Sequence, residues 1–98
     1  MTKSIVLKAL SKVIDPELNV SIVDMGFVYG ISIAKDNSVN IKMTLTTPGC
    51  PLYKMIEEDI KKTIKEIGAK KVTVEFVFDP PWSTDLMTKK GKKLLGFQ

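Results

Sequence analysis

Three segments in the second half of the chain leave little freedom in how it can fold. Val39, Ile41, Met43 and Leu45 alternate with Asn40, Lys42, Thr44 and Thr46, and Val72, Val74, Phe76 and Phe78 alternate with Lys71, Thr73, Glu75 and Val77. A period of two marks a strand with one buried face. Between these runs, Leu52, Ile56, Ile60, Ile64 and Ile67, joined by Met55, form an apolar stripe at helical spacing. Glu57 with Lys61, and Glu58 with Lys62, add i,i+4 pairs outside it, and Gly68 closes the helix as a C-terminal cap. Strand, long helix and strand make a βαβ-type crossover, right-handed if the two strands run parallel in one sheet.

The first half supplies the rest of a small sheet. Phe27, Tyr29, Ile31 and Ile33 alternate with Val28, Gly30, Ser32 and Ala34, and the turn at residues 35–38 joins them to the next strand as a β-hairpin. Val6, Leu10, Val13 and Ile14 recur near helical spacing, which predicts an amphipathic helix from Ser4 to Ile14 that stops at Asp15-Pro16. The following DPELNVSIVDMGFV is too irregular for a long element and reads as a structured loop, with Asp24-Met25-Gly26 a turn leading into the strand. After the last strand, DPPWSTDLM breaks the pattern, and Ser83 or Thr84 is positioned to cap a final basic helix to about Leu95. The order helix, strand, strand, helix, strand, helix predicts an α+β fold. It is a two-layer α/β sandwich in which a small mixed sheet is covered by helices on one side, with strand order left open. At 98 residues the chain fits one domain, residues 1–98.

Composition narrows the chemistry more than the fold. There is no histidine, so the chain cannot by itself build a Ser-His or Cys-His pair, a His-ligated zinc site or an imidazole base. A single cysteine excludes internal disulfides, CxxC redox chemistry and multi-cysteine zinc sites. The net charge of +4 comes entirely from lysine, without the arginine that forks onto phosphates and guanine edges, which argues against nucleic acid. No apolar run approaches the roughly 20 residues that span a bilayer, and the N-terminus lacks the apolar core and cleavage site of a signal peptide. Together these features predict a cytoplasmic protein.

The lone cysteine lies in TLTTPGCP. Pro51 suits the first helical position, which puts Cys50 at or beside the N-cap of the long helix. There, unpaired N–H groups and the helix dipole favour a thiolate, a nucleophile and metal ligand at neutral pH, with Thr46 and Thr47 as hydrogen-bond donors. A free cysteine is also among the most buried residue types and packs as a small hydrophobe, so local sequence leaves both readings open. Asp15 and Glu17 are carboxylates for the thiol or simply cap their turn. Pro80, Pro81 and Trp82 form a partner-binding ridge or bring a tryptophan into the core. Lys89, Lys90, Lys92 and Lys93 meet an acidic partner or form the solvated face of the last helix.

Taken together, VIDPELNVSIVDMGFV, VNIKMTLTTPGCP and VEFVFDPPWSTDLM resemble, in order and over nearly the whole chain, the metal-sulfur cluster assembly family. That family includes the PaaD-like and SufT-like proteins and the small eukaryotic cytosolic iron-sulfur targeting factors. The resemblance implies a cytosolic domain that helps mature iron-sulfur proteins alongside other assembly factors, and not an enzyme. It places the family's acidic turn on Asp15, Glu17 and Leu18, its hydroxyl pair on Thr46 and Thr47, and its reactive cysteine on Cys50. It also implies a transient iron-sulfur cluster or iron held by Cys50, apo-protein clients, and a P-loop ATPase carrier as a separate partner, since relatives occur fused to one. The chain has no C-terminal cysteine cluster, which disfavours the phenylacetate-oxygenase branch. One thiolate cannot fill a cluster's usual four cysteine positions, so a second copy in a homodimer, a small thiol or a partner must supply the others. Two other classes compete. One is a Cys-dependent thiol enzyme with Asp15 or Glu17 as base, which would leave a covalent adduct on Cys50. The other is a basic nucleic-acid-binding module, which would show salt-dependent RNA binding.

Overall fold

A computed structural model of the protein describes residues 1–45 and 53–96. At its centre is the strand Ser38–Met43 (β4), which pairs antiparallel with Val28–Ile33 (β3) on one edge and parallel with Lys71–Phe76 (β5) on the other. The mixed sheet is therefore ordered β3-β4-β5, with Ile41 in register with both Ile31 and Val74. Val39, Ile41 and Met43 point to one face and are almost wholly buried. Against them pack the helices Lys3–Leu10 (α1) and Tyr53–Glu66 (α2), through Val6, Ala9 and Leu10 of the first and Ile56, Ile60 and Ile64 of the second. Along the opposite face run Ser32, Asn40, Lys42, Thr73 and Glu75, with the Thr73 hydroxyl donating to Asn40 Oδ1 at 2.8 Å. These are the two layers and the helix-covered mixed sheet that the patterning implied.

The long helix ends as expected. Gly68 has φ of +111°, its N–H reaches the Lys65 carbonyl and the Ala69 N–H reaches that of Ile64, the paired bonds of a Schellman motif. The buried stripe is narrower than the sequence suggested. Met55 is 57% exposed, being a residue to the side of Ile56, and Ile67 is 37% exposed because it lies past the helix's last turn. Leu52 falls outside the described residues.

Four boundaries differ from expectation. The first helix stops at Leu10, not Ile14: Ser11 caps it, and the Val13 carbonyl accepts from Ile22 N–H, drawing the chain into a short ladder of Ile14–Asp15 (β1) with Val20–Ser21 (β2). The irregular loop thus contains its own strand pair, closed by Asn19 at φ 58°. In β3, two residues span the step from Val28 opposite Met43 to Gly30 opposite Lys42, a bulge that leaves Tyr29 as the extra residue. Val28, Ile31 and Ile33 therefore share the core side, and Tyr29 does not follow the Phe27, Ile31, Ile33 alternation. The third strand ends at Phe76, short of Phe78. The last helix begins late: Thr84–Leu86 make one 3₁₀ turn (η1), Met87 is buried with extended backbone, and Thr88 caps Lys89–Leu95 (α3) by accepting from Gly91 N–H at 3.0 Å.

The α2 assignment separates two substitutions. Ile60→Ala empties a fully buried position and should cost about 2–5 kcal/mol in urea unfolding, while Met55→Ala should stay within about 0.5 kcal/mol. Comparable losses at both would show that α2 buries a different face.

Candidate functional site

The parallel pair and the helix between them define one end of the molecule, where β4 and β5 finish and α2 starts. In α/β units this end of the sheet is where ligands are commonly met. Here β4 leaves the sheet through Thr44 and Leu45, both buried. The Thr44 N–H donates to the Phe27 carbonyl at 2.8 Å and its hydroxyl to the Leu45 carbonyl at 3.3 Å. The exit of β5 is tied to the same strand by Val77 N–H to the Met43 carbonyl, 2.8 Å. At the start of α2 the Tyr53 ring meets Phe76 edge-on at 4.6 Å and Phe78 at 6.1 Å. An aromatic trio and a buried threonine thus fix both ends of the connection between strand and helix. Thr46, Thr47 and Cys50, with the N-cap placement of Cys50 and the first-turn placement of Pro51, lie in that connection, outside the described residues.

The acidic turn has a definite structure. Asp15 is buried, and its Oδ1 accepts the N–H groups of Glu17 at 2.9 Å and Leu18 at 3.2 Å, while its carbonyl accepts from Asn19. Asp15 caps its own turn, one of the two roles its sequence suggested. Leu18 is half-buried against the core and Glu17 is exposed. A displaced titration lies elsewhere. Asp36, on the β3–β4 turn at the other end of the sheet, is held below the usual carboxylate range by the Ser38 side chain and then by the Ser38 N–H, 3.0 Å from its Oδ1.

The Pro80-Pro81-Trp82 element divides. The prolines are exposed, and the Pro80 carbonyl accepts from the Tyr29 hydroxyl at 2.9 Å. Trp82 turns inward: its indole N–H donates to the Met25 carbonyl at 2.6 Å and its ring stands edge-on to Phe27 at 5.8 Å. The tryptophan therefore serves as an anchor, and only the prolines face outward. Val23, Val28, Tyr29, Pro80 and Leu86 line an open, largely apolar groove beside them, of about 470 Å³.

A second polar node, read from sequence only as a turn, is Asp24. Its N–H donates to Ser21 Oγ at 3.0 Å, its Oδ1 accepts from the Thr88 hydroxyl at 2.8 Å, and its carbonyl accepts from Thr88 N–H at 3.0 Å. A Cβ on Gly91 would stand 2.4 Å from that same carbonyl oxygen, so only glycine lets α3 approach. A glycine inside a run of lysines was the available sequence signal for this close packing.

A mixed α+β sandwich whose β4–α2 junction carries the sequence TTPGCP, and whose first half holds a self-capped Asp-Pro-Glu turn, defines a class of protein. The chain belongs to the iron-sulfur cluster assembly protein family, whose model matches residues 3–76. It is similar to the Fe-S protein maturation auxiliary factor YitW of Bacillus subtilis, 41% identical over 97 residues that cover 98% of this chain and 95% of that protein. An iron-sulfur cluster carrier protein of Synechocystis is 37% identical over 92 residues, 93% of this chain but 26% of the carrier. A crystal structure of a domain of unknown function from Bacillus anthracis matches the fold with a TM-score of 0.91 at 36% identity, covering 98% of this chain and 92% of that one.

The anchoring of Trp82 is directly testable. Trp82→Phe keeps a ring against Phe27 but leaves the buried Met25 carbonyl without its donor, and should cost about 1–3 kcal/mol by chemical denaturation followed by circular dichroism. No loss of stability would return the residue to the partner-facing ridge.

Proposed function

We propose that this protein is an accessory factor in the maturation of iron-sulfur proteins, and that it acts through Cys50 as a transient ligand while a cluster, or its iron, passes to an apo-protein. The observation that carries this reading is the junction. Buried Thr44 and Leu45 fix where the chain leaves β4, the packed ring of Tyr53 fixes where it enters α2, and the thiol belongs to the sequence between them. Its relatives' names point the same way: one is a maturation auxiliary factor, and another is a cluster carrier of which this chain matches about a quarter.

In this reading Cys50 loses its proton as sulfur binds iron, and Pro51 sets the start of α2 so that helix N–H groups favour the thiolate. Thr46 and Thr47 orient the sulfur. Asp15 acts by shaping the turn that presents Leu18 and Glu17, and the exposed Glu17 carboxylate takes up iron or the released proton. Pro80 and Pro81 face a partner. The other cluster ligands come from a client, a small thiol, a second copy or a P-loop ATPase carrier. The chain works in the cytoplasm as a single unit over residues 1–98, without turning over a substrate.

Cys50→Ala should leave the thermal midpoint within a few degrees of the parent while lowering iron-sulfur enzyme activity in cells that lack the native copy. In vitro, alkylation of Cys50 in the folded protein should show a midpoint pH below that of the denatured thiol. Full client activity from the Cys50→Ala protein would refute the cysteine's role.

A further inference from the structure

The charge of this chain is segregated. Residues 1–88 hold eleven lysines and eleven carboxylates and are neutral, whereas residues 89–98 hold four lysines and no carboxylate, so the whole net charge of +4 sits there. All four lysines lie on α3, at Lys89, Lys90, Lys92 and Lys93. Lys92 and Lys93 in the last turn suit the helix dipole, but the first turn is assembled against it. Lys89 and Lys90 occupy the first turn, where the helix dipole favours acids, and no acidic residue stands there. Lys89 and Lys93, four apart, and Lys90 and Lys93, three apart, are like-charge neighbours that destabilise a helix. Among the described residues none of the four makes an ion pair. Thr88, Gly91 and Asp24 hold the helix in place despite this, and they leave Lys89, Lys90 and Lys93 exposed with Leu94, 60% exposed, beside them.

A local electrostatic cost that nothing among the described residues relieves is expected where an outside group relieves it. We infer that α3 is a docking face for an acidic protein segment, one that sets carboxylates against Lys89, Lys90 and Lys93 and an apolar side chain against Leu94. The cations are lysines only, point charges without the bidentate fork that favours phosphates, which points to carboxylates over nucleic acid. One exposed leucine on a seven-residue helix, whose neighbour Leu95 packs on the core, is too little apolar surface for insertion into a lipid interface. The docking face lies beyond the family match at residues 3–76, and it stands on charge distribution alone, so it and the cysteine reading fail separately.

The test titrates the full chain against a fluorescein-labelled glutamate-rich peptide carrying one leucine, with phosphatidylserine vesicles and a single-stranded RNA of matched charge as competitors. The peptide should bind most tightly, and its affinity should fall steeply as salt rises through about 0.15 M. Lys89→Glu with Lys90→Glu should weaken it about fivefold or more, while Lys62→Glu with Lys70→Glu, an equal charge change elsewhere, should not. The α3 variant should also melt no lower than the parent, because it puts acids in the first helical turn ahead of Lys93. Absence of peptide binding, equal loss in both variants, preference for vesicles or RNA, or a lowered melting point for the α3 variant would each overturn the proposal.

Discussion

β4 is hydrogen-bonded along both edges and buried along one face, and most of the molecule answers to that. With Val39, Ile41 and Met43 aimed one way, the sheet has a single apolar side, and about 1.5–3 kcal/mol per buried side chain is gained only if something covers it. The cover comes from the crossover itself: α2 must cross that face to bring β5 alongside β4 in parallel, and Ile56, Ile60 and Ile64 meet the strand as it does. Helix α1 fills what α2 leaves. The opposite face is left to Ser32, Asn40, Lys42, Thr73 and Glu75, side chains suited to water.

The same constraint explains what could be read from sequence and what could not. Alternation in β4 and β5 and the four-residue spacing of the buried isoleucines report burial on one side, so these elements and their order were legible. The Gly68 cap was legible because a left-handed φ after a helix selects glycine. What escaped were the choices made by competing hydrogen bonds. Nothing in Val28-Tyr29-Gly30 marks which residue is extra in the bulge, since 28 and 29 are both apolar and either phase fits the pattern. The early end of α1 depends on Val13 giving its carbonyl to Ile22, a partner nine residues away. The late start of α3 depends on Thr88 finding Asp24, sixty-four residues away.

The candidate site was legible in a different way. Its residues stand out by type and by family resemblance, whereas their physical roles emerge from packing. Asp15 and Trp82 were both offered as functional groups, and the structure gives each a local duty: a carboxylate oxygen engaged by two backbone N–H groups, and an indole N–H satisfying a carbonyl beside Phe27. These duties bear on the site indirectly. Phe27 accepts the Thr44 N–H through its carbonyl, so the chain from Trp82 through Phe27 to Thr44 ties the C-terminal segment to the very point where β4 hands over to residues 46–52. A substitution at Trp82 can thus reach the point where β4 ends without altering any residue of the junction.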